Sequence, residues 1–584
     1  MNSGPAGFTA DGIDPPAWEE AAAAALDALA AEFSVTAERR VSAAAGRGTD
    51  PASADQRTTW LDTFDWRLYK AGLTLEYLPG RGGSELRLAD RASAGRPPGP
   101  AGVTGGDAAA VAGSAPERAP DRGAVQPVTG WQASRPHLLA ELAGGPVGAR
   151  LARLVAPRAL VPVATTTVTT TVYRLLNADS KTVARFMISR PRLVSGRHAT
   201  PLPPRLVIAG VRGYPAQERR ADRLLAAVPG LSPAAEPLFA DALRALGRRP
   251  ADYSNKVDAA ITRAMPAARA GAVILLRLLD TIDANVPGVL ADIDTEFLHD
   301  LRVSVRRTRS ALKLFGDVLG LTRKELAFFA AEFKWVGDLT TPTRDLDVHL
   351  LDFEETARGL AAAKPDDLEP FRAFLEQRRR KEFRALARGL RTARFTGLTA
   401  DWRKKLVALQ AGGAGPAAVS APRSVPSGRS AGGSAGMLAA ERTRVAFAKV
   451  ARRGAAITTD SPAESLHDLR KRAKELRYAL EFFAPLHDSA ESAKVVGDLK
   501  RLQDCLGEFQ DTEIQIAEIR ALAAAMLAAG EAPAVTLLAM GEITAGLAAR
   551  QRAARADFER RFAAFAGIDG QRRVSALLRG GVSR

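Results

Sequence analysis

The frame Leu298-His299-Asp300-Leu301-Arg302 returns as Leu466-His467-Asp468-Leu469-Arg470, and two of the chain's six histidines sit in it. Histidine beside aspartate can serve two chemistries. The doublet could ligate a metal or relay a proton, as in a phosphohydrolase, or the histidine could head a run of cations that holds an anion. Helix geometry separates the two. Neighbouring residues on a helix point about 100° apart, so neither doublet alone chelates one ion, and only His349 and His487 remain nearby as further histidines. Residues three, four and seven apart do share a face. From His299 that face gathers Arg302, Arg306, Arg309 and Lys313; from His467 it gathers Arg470, Lys474 and Arg477. The first ladder spans roughly 20 Å at about 1.5 Å per residue, which suits an extended, repeating anion better than one small phosphate.

A run of charge on a helix is ordinarily a solvated face. The duplication argues against that here. Arg302, Arg309 and His299 recur as Arg470, Arg477 and His467, and Arg306 recurs as Lys474, whereas Arg307 and Lys313 become Glu475 and Glu481. Retention along one face marks a binding surface. Asp300 and Asp468 fall off that face and are expected to serve the first helical turn, where negative charge is favoured. Interleaved Leu301, Val305, Leu312 and Phe315, and then Leu469, Ala473, Leu476, Leu480 and Phe483, give each helix an apolar side to pack. Downstream, Lys334 and Lys500 occupy matching places and are candidates for a basic edge, while Asp345 and Asp511 match as helix-cap or ion-pair partners. Ser461-Pro462-Ala463-Glu464 predicts a capping box with proline at the first helical position.

The elements that must position these helices follow from length and pattern. At 584 residues the chain is too long for one core. The net charge of +17 points to a polyanionic partner. A lone Cys505 excludes an internal disulfide and a cysteine-built zinc site. The start carries Asp11, Asp14, Glu19 and Glu20 instead of a basic patch and apolar run, and the Ala270–Leu279 stretch is too short to span a bilayer, so a soluble cytoplasmic protein is expected.

Strand-like pattern covers 33–41, 60–68, 73–78, 85–88, 161–176, 183–189 and 205–211, with helices at 16–32, 137–154 and 218–246, the last broken at Pro229-Gly230. From Tyr253 onward the helical period dominates, apart from the Gly, Ser, Ala and Pro-rich gap at 412–436. The expected layout is an N-terminal helix or tail at 1–32 and a β domain at 33–231 with a disordered insertion at 92–128. Helical bundles follow at 253–410 and 437–567, joined by a flexible linker at 411–436 and ended by a basic, frayed tail at 568–584.

The His-Asp-Leu-Arg-Val-Ser-Val-Arg-Arg-Thr-Arg run beginning at His299, with the later Arg344-Asp345-Leu346-Asp347-Val348, resembles the CHAD domain, the conserved-histidine α-helical domain. The second copy, through Arg477 to Phe483 and Leu506-Gly507-Glu508, looks like that domain's second half, and the resemblance covers about 253–565. It implies two bundles related by a pseudo-two-fold axis with basic helices facing a shared groove. It also implies binding of inorganic polyphosphate without turnover, often at polyphosphate granules and alongside granule proteins. The matching positions are His299, Arg302, Arg306, Arg309, His467, Arg470, Lys474 and Arg477, with Lys313, Lys334 and Lys500 as additions.

Ahead of it, the stretch Trp60 to Leu75 and the following Glu85-Leu86-Arg87-Leu88 resemble the CYTH domain, the triphosphate-tunnel barrel. That family hydrolyses triphosphates with a divalent metal, which needs clustered carboxylates and inward cations. Here the opening acidic strand is matched only by Thr36-Ala37-Glu38-Arg39-Arg40. An arginine-bearing strand has become Thr165 to Thr171, and the late acidic strand reads Arg205 to Gly210. Glu38, Arg40, Lys70, Glu85 and Arg87 survive without making a metal site.

The expectation is therefore an α+β multidomain protein: an antiparallel, β-barrel-like domain followed by an all-α domain of two helical bundles. It binds polyphosphate, with no catalytic residue, no metal and no cofactor. The alternatives are a metal-dependent triphosphatase or phosphohydrolase, and a nucleic-acid binder, which the absence of aromatics between the cations disfavours.

Overall fold

The computed structural model describes residues 7–10, 15–38, 54–80, 83–91, 123–142, 144–234, 236–411, 433–487 and 489–579. They divide into two compact units, Met1–Ser254 and Asn255–Arg584.

The first unit is built on one antiparallel sheet. Its strands are β1 (Phe8–Ala10), β2 (Ser34–Ala37), β3 (Ala54–Thr63), β4 (Leu73–Leu78), β5 (Ser84–Asp90), β6 (Ala124–Val128), β7 (Leu160–Leu176), β8 (Thr182–Ser195), β9 (His198–Pro201), β10 (Arg205–Gly210) and β11 (Leu231–Pro233). Helices α1 (Pro15–Ala30), α2 (Arg67–Lys70), α3 (Pro146–Val155), α4 (Pro215–Ala226) and α5 (Leu238–Ala245) accompany it. The strand order is β11-β1-β10-β8-β7-β3-β4-β5-β6, with β2 also on β7 and β9 on β8. The Val- and Thr-rich β7 is central, as β-branched residues favour. Thr59 and Thr170 join it to its neighbours through hydroxyl pairs, Thr59 with Thr165 at 2.9 Å and Thr170 with Ser189 at 3.0 Å.

Several expectations need correction. Among the described residues β6 pairs only with β5 and β11 only with β1, so the sheet is open and the expected barrel closure is absent. A barrel requires those two edges to meet. The expected strand 60–68 stops at Thr63, because the buried Asp62 carboxylate turns the chain: it accepts the N–H groups of Thr63, Leu68 and Tyr69 at 2.7, 2.9 and 2.9 Å. Of the expected insertion 92–128, residues 124–128 form β6 in register with β5, and 92–122 lie outside the described residues. The break expected at Pro229-Gly230 within 218–246 is present and holds β11 between two helices, while the segment before residue 33, expected to be a helix or tail, contributes β1 to the sheet as well as a helix. Arg39 and Arg40 lie outside the described residues, as does 412–432 of the linker.

The second unit is all-helical: α6 (Ala267–Leu290), α7 (Thr295–Phe315), α8 (Arg323–Leu351), α9 (Phe353–Arg358), α10 (Glu369–Leu390), α11 (Ala393–Gln410), α12 (Ala435–Ala455), α13 (Ala463–Phe482), α14 (Ser489–Ala528), α15 (Ala534–Ala566) and α16 (Ile568–Arg579). The last of these occupies most of the expected frayed tail. In the first repeat α7 and α10 pack on α6 and α8, with α11 closing the bundle; in the second, α13 packs between α12 and α14, and α15 and α16 complete it.

The repeats meet like to like, α6 on α12 and α7 on α13, as a two-fold relation requires. Phe315 and Phe483 occupy equivalent positions and touch each other edge to face, with ring centroids 5.4 Å apart, and Phe482 lies 6.5 Å from Phe315. All three rings are fully buried. Phe315→Ala is expected to destabilise the helical unit by about 3–5 kcal/mol, since it leaves a ring-sized cavity at the seam. Denaturant unfolding checks this, and a loss below about 1 kcal/mol would show that the seam closes without the ring.

Candidate functional site

Both ladder helices are placed by ordinary helix physics. Asp294 caps α7, accepting the N–H groups of Glu296 at 2.9 Å and Phe297 at 3.2 Å. Its buried stripe runs through Phe297, Leu298, Leu301, Val305, Leu312 and Phe315. The capping box expected for α13 does not form. Pro462 stands at the cap with no side-chain bond, and the Ser461 hydroxyl is taken by the Thr458 N–H at 2.9 Å. A capping box does form where none was expected, at Thr322 and Glu325 on α8.

The His-Asp doublets come apart in the fold. Asp300 is buried and accepts the Asn255 side-chain amide at 2.7 Å; Asp468 pairs with Arg453 and, at 3.5 Å, with Arg472. Each is the sixth residue of its helix, so neither serves the first turn as expected. His299 is half-buried. His467 Nε2 lies 2.8 Å from Glu513 Oε2, too poorly aligned for a hydrogen bond but placed for charge attraction once the imidazole is protonated.

The ladder cations converge across the seam between α7 and α13. Lys474 is half-buried, and its ammonium is held down to about 8, first by desolvation and then by Arg470 on its own helix and Arg306 and Arg302 on α7. Arg306 is the repeat equivalent of Lys474, so here too a position faces its own counterpart. Burial, with Arg306, Arg344 and Arg309 adding to it and Asp345 opposing, also lowers the pKa of Arg302.

The rungs differ in how they are held. Arg302 donates to the Gly337 carbonyl at 3.3 Å and to the Thr341 hydroxyl, both on α8. Arg470 is fixed by Gln510 at 3.0 Å and Asp511 at 2.9 Å on α14. The guanidinium groups of Arg309 and Arg470 lie against the backbone at Gly337 and Gly507, where a Cβ would meet them in ordinary contact at 3.4 Å. Glu481 accepts from Arg477 at 2.7 Å on its own helix and from Arg307 at 3.1 Å across the seam. Arg306, Arg309, Lys313 and Lys474 make no ion pair among the described residues. Lys334 is exposed and pairs with Asp338 at 2.6 Å, and Lys500 is exposed without an ion pair among the described residues.

Residues 273–520 match the family model of the CHAD domain. The helical half of this chain carries a CHAD domain. Two solved structures are similar to it. One is a crystal structure of the CHAD domain from the plant Ricinus communis, 24% identical, covering 54% of this chain and 96% of that one with a TM-score of 0.44. The other is PptA from Streptomyces chartreusis, 18% identical, covering 51% and 96% with a TM-score of 0.36. No curated protein matches the chain.

Within the CHAD domain, sequence reasoning missed the residues that hold the rungs in place: Thr341, Glu481, Gln510 and Glu513. The one available signal was Glu481 standing where the first repeat has Lys313, a change of sign on an otherwise retained face. No three His, Cys, Asp or Glu side chains among the described residues are placed to hold a metal together. No helix is long and apolar enough to cross a membrane.

The N-terminal unit is compatible with a CYTH-like origin, but its surviving charged residues among those described bond to groups within the unit. Glu38 pairs with Arg185 at 3.1 Å and Glu85 with Arg87 at 2.7 Å, while Lys70 donates to the Asp65 carbonyl at 2.6 Å. Glu76 takes the Trp60 indole N–H at 3.2 Å, burial raises its pKa, and Phe239 of α5 packs 5.4 Å from the Trp60 ring.

The depressed Lys474 has a consequence for stability. Its folded pKa, about 8, lies below the ordinary 10.5, so the unfolded chain binds that proton more tightly. The charged side chain therefore costs stability below pH 8, and the cost fades between pH 8 and 10.5. Lys474→Met is expected to raise Tm at pH 7, with its advantage over the parent shrinking through that window. An unchanged or lower Tm at pH 7 would show that the lysine is not strained.

Proposed function

We propose that the CHAD domain binds inorganic polyphosphate without turning it over. The polymer lies in a groove along α7 and α13, held by His299, Arg302, Arg306, Arg309, His467, Arg470, Lys474 and Arg477, with Lys313, Lys334 and Lys500 at its edges. One observation carries this reading: burial and then cations from both repeats (Arg470, Arg306 and Arg302) hold the same ammonium, that of Lys474, below its ordinary pKa, although Asp511 opposes them. Like charges held together in a half-buried seam favour any anion that can enter it, and a polymer of phosphates enters several rungs at once. Arginine forks match phosphate oxygens two at a time.

Nucleic acid fits less well. The aromatic residues of α7 and α13 (Phe297, Phe315, Tyr478 and Phe482) are all buried, which leaves no platform for bases to stack on. Association with polyphosphate granules in the cytoplasm follows from the ligand and belongs to the same proposal.

Arg306→Glu with Lys474→Glu is expected to lower affinity for defined-length polyphosphate by about a hundredfold or more, taking charge-assisted contacts at about 1.5–3 kcal/mol each. Titration calorimetry on the full chain checks this, with circular dichroism reporting the fold; unchanged affinity would remove the groove from the reading. Because Lys474 loses its proton near pH 8, affinity is expected to fall as pH rises through 8, with proton uptake on binding; a flat profile from pH 7 to 9 would exclude Lys474 as a contact. In the same samples, no phosphate release from triphosphate or polyphosphate is expected with magnesium or manganese. Sustained release that is lost on replacing Glu38 or His299 would make the protein an enzyme instead.

A further inference from the structure

The outward face of α10 carries a second stripe of cations. At about 100° per residue, Arg380, Lys381, Arg384, Arg388 and the capping Arg391 fall within one arc of about 100°, and all five are exposed. The opposite face is fixed in the core through Phe371, Leu375, Leu386, Ala387 and Leu390. Arg379 marks the contrast. It points inward and is clamped by Asp347 at 2.6 Å and by Asp292 at 2.7 and 2.8 Å.

Its outward neighbours have no such partners. Glu376, 3.7 Å from Arg380, is the sole carboxylate touching the stripe among the described residues. Arg380, Arg384 and Arg388 repeat every fourth residue, an arrangement of like charge that weakens a helix. The helix dipole favours cations in the last turn alone, near Arg388.

We propose that this stripe is a second binding surface for polyphosphate, on a different face of the bundle from the α7–α13 groove, so that one protein holds two stretches of polymer and cross-links long chains. The choice of polyphosphate rests on the reading given above; the stripe itself does not. α7 and α10 each pack against α6 and α8 rather than against each other, which sets the two cationic faces apart. From Arg380 to Arg391 the stripe runs about 17 Å at about 1.5 Å per residue, enough for several phosphates in a row. The arc holds no aromatic side chain for a base to stack on and no large aliphatic one to enter a bilayer, because the helix's apolar side is spent on the core. A flexible chain of phosphates needs neither.

The test compares two full-length variants with the parent, using polyphosphate of about ten and of several hundred phosphates. The α10 variant is Lys381→Glu with Arg384→Glu and Arg388→Glu. Each new glutamate gains an arginine three or four residues away (Arg378, Arg380 or Arg391), which offsets the like-charge pairs between positions 381, 384 and 388; circular dichroism checks the helix, and a glutamine version of the same triple, free of those pairs, should act in the same direction. The groove variant is Arg306→Glu with Lys474→Glu.

With long polymer the parent is expected to form light-scattering assemblies. The α10 variant should bind short polymer at the groove alone where the parent binds it at both surfaces, form no assemblies with long polymer, and lose about 0.7 in the slope of log affinity against log salt for each contact removed, by analogy with single-stranded nucleic acid. The groove variant should keep weak long-chain binding that the combined variant loses. Scattering and salt slope unchanged in the α10 variant would overturn the proposal. Loss in the α10 variant alone, with the groove variant unaffected, would uphold the stripe and defeat the groove. Duplex DNA or phosphatidylserine vesicles displacing polyphosphate from the groove variant at lower phosphate concentration would overturn polyphosphate as its ligand.

Discussion

The helical half depends on a helix packing against its own repeat. When like meets like across a two-fold seam, every property of one surface is doubled at the crossing. Apolar residues profit: Phe315 meets Phe483 and both rings leave water. Cations do the opposite, and the exposed Arg306 is set against the half-buried Lys474. The aromatic contact and the Arg307–Glu481–Arg477 bridge hold the seam shut against that repulsion. The same packing that stabilises the domain therefore concentrates unneutralised positive charge.

The two ladders have diverged in how that charge is managed. In the second repeat Arg470 and Arg477 rest on Asp511 and Glu481. In the first, Arg306, Arg309 and Lys313 have no ion pair among the described residues, and Arg302 is steadied by a carbonyl and a hydroxyl. Carboxylate partners orient a guanidinium before a ligand arrives but must be exchanged for it, whereas neutral acceptors orient without competing. The first repeat thus presents open charge and the second presents arginines already aimed.

The N-terminal unit followed another course. Its polar residues were retained singly, and each found a neighbour inside the sheet: Glu38 with Arg185, Glu85 with Arg87, Trp60 with Glu76. A group whose charge is met by the protein attracts a ligand weakly. Among the described residues the path of strands from β11 to β6 is open, and it closes no tunnel in which those groups could act together.

The sequence by itself determined the repeat, the helical period, the faces on which cations and apolar residues lie, and the division into a β-rich and an α-helical half. These are local properties: a residue's place on a helix face depends on spacing alone. It could not determine whether the sheet closed, because edge pairing joins strands far apart in the chain. Nor could it show that Ser461 gives up its capping role to Thr458, or that Asp300 turns inward to Asn255. Those outcomes depend on which acceptor the fold brings nearest. The charge on Lys474 is the sharpest case. In sequence it is one lysine on a basic helix; only the tertiary structure sets it against Arg302 and Arg306, residues more than 160 positions away, because electrostatic interaction follows distance in space and loss of solvent, and neither is written along the chain.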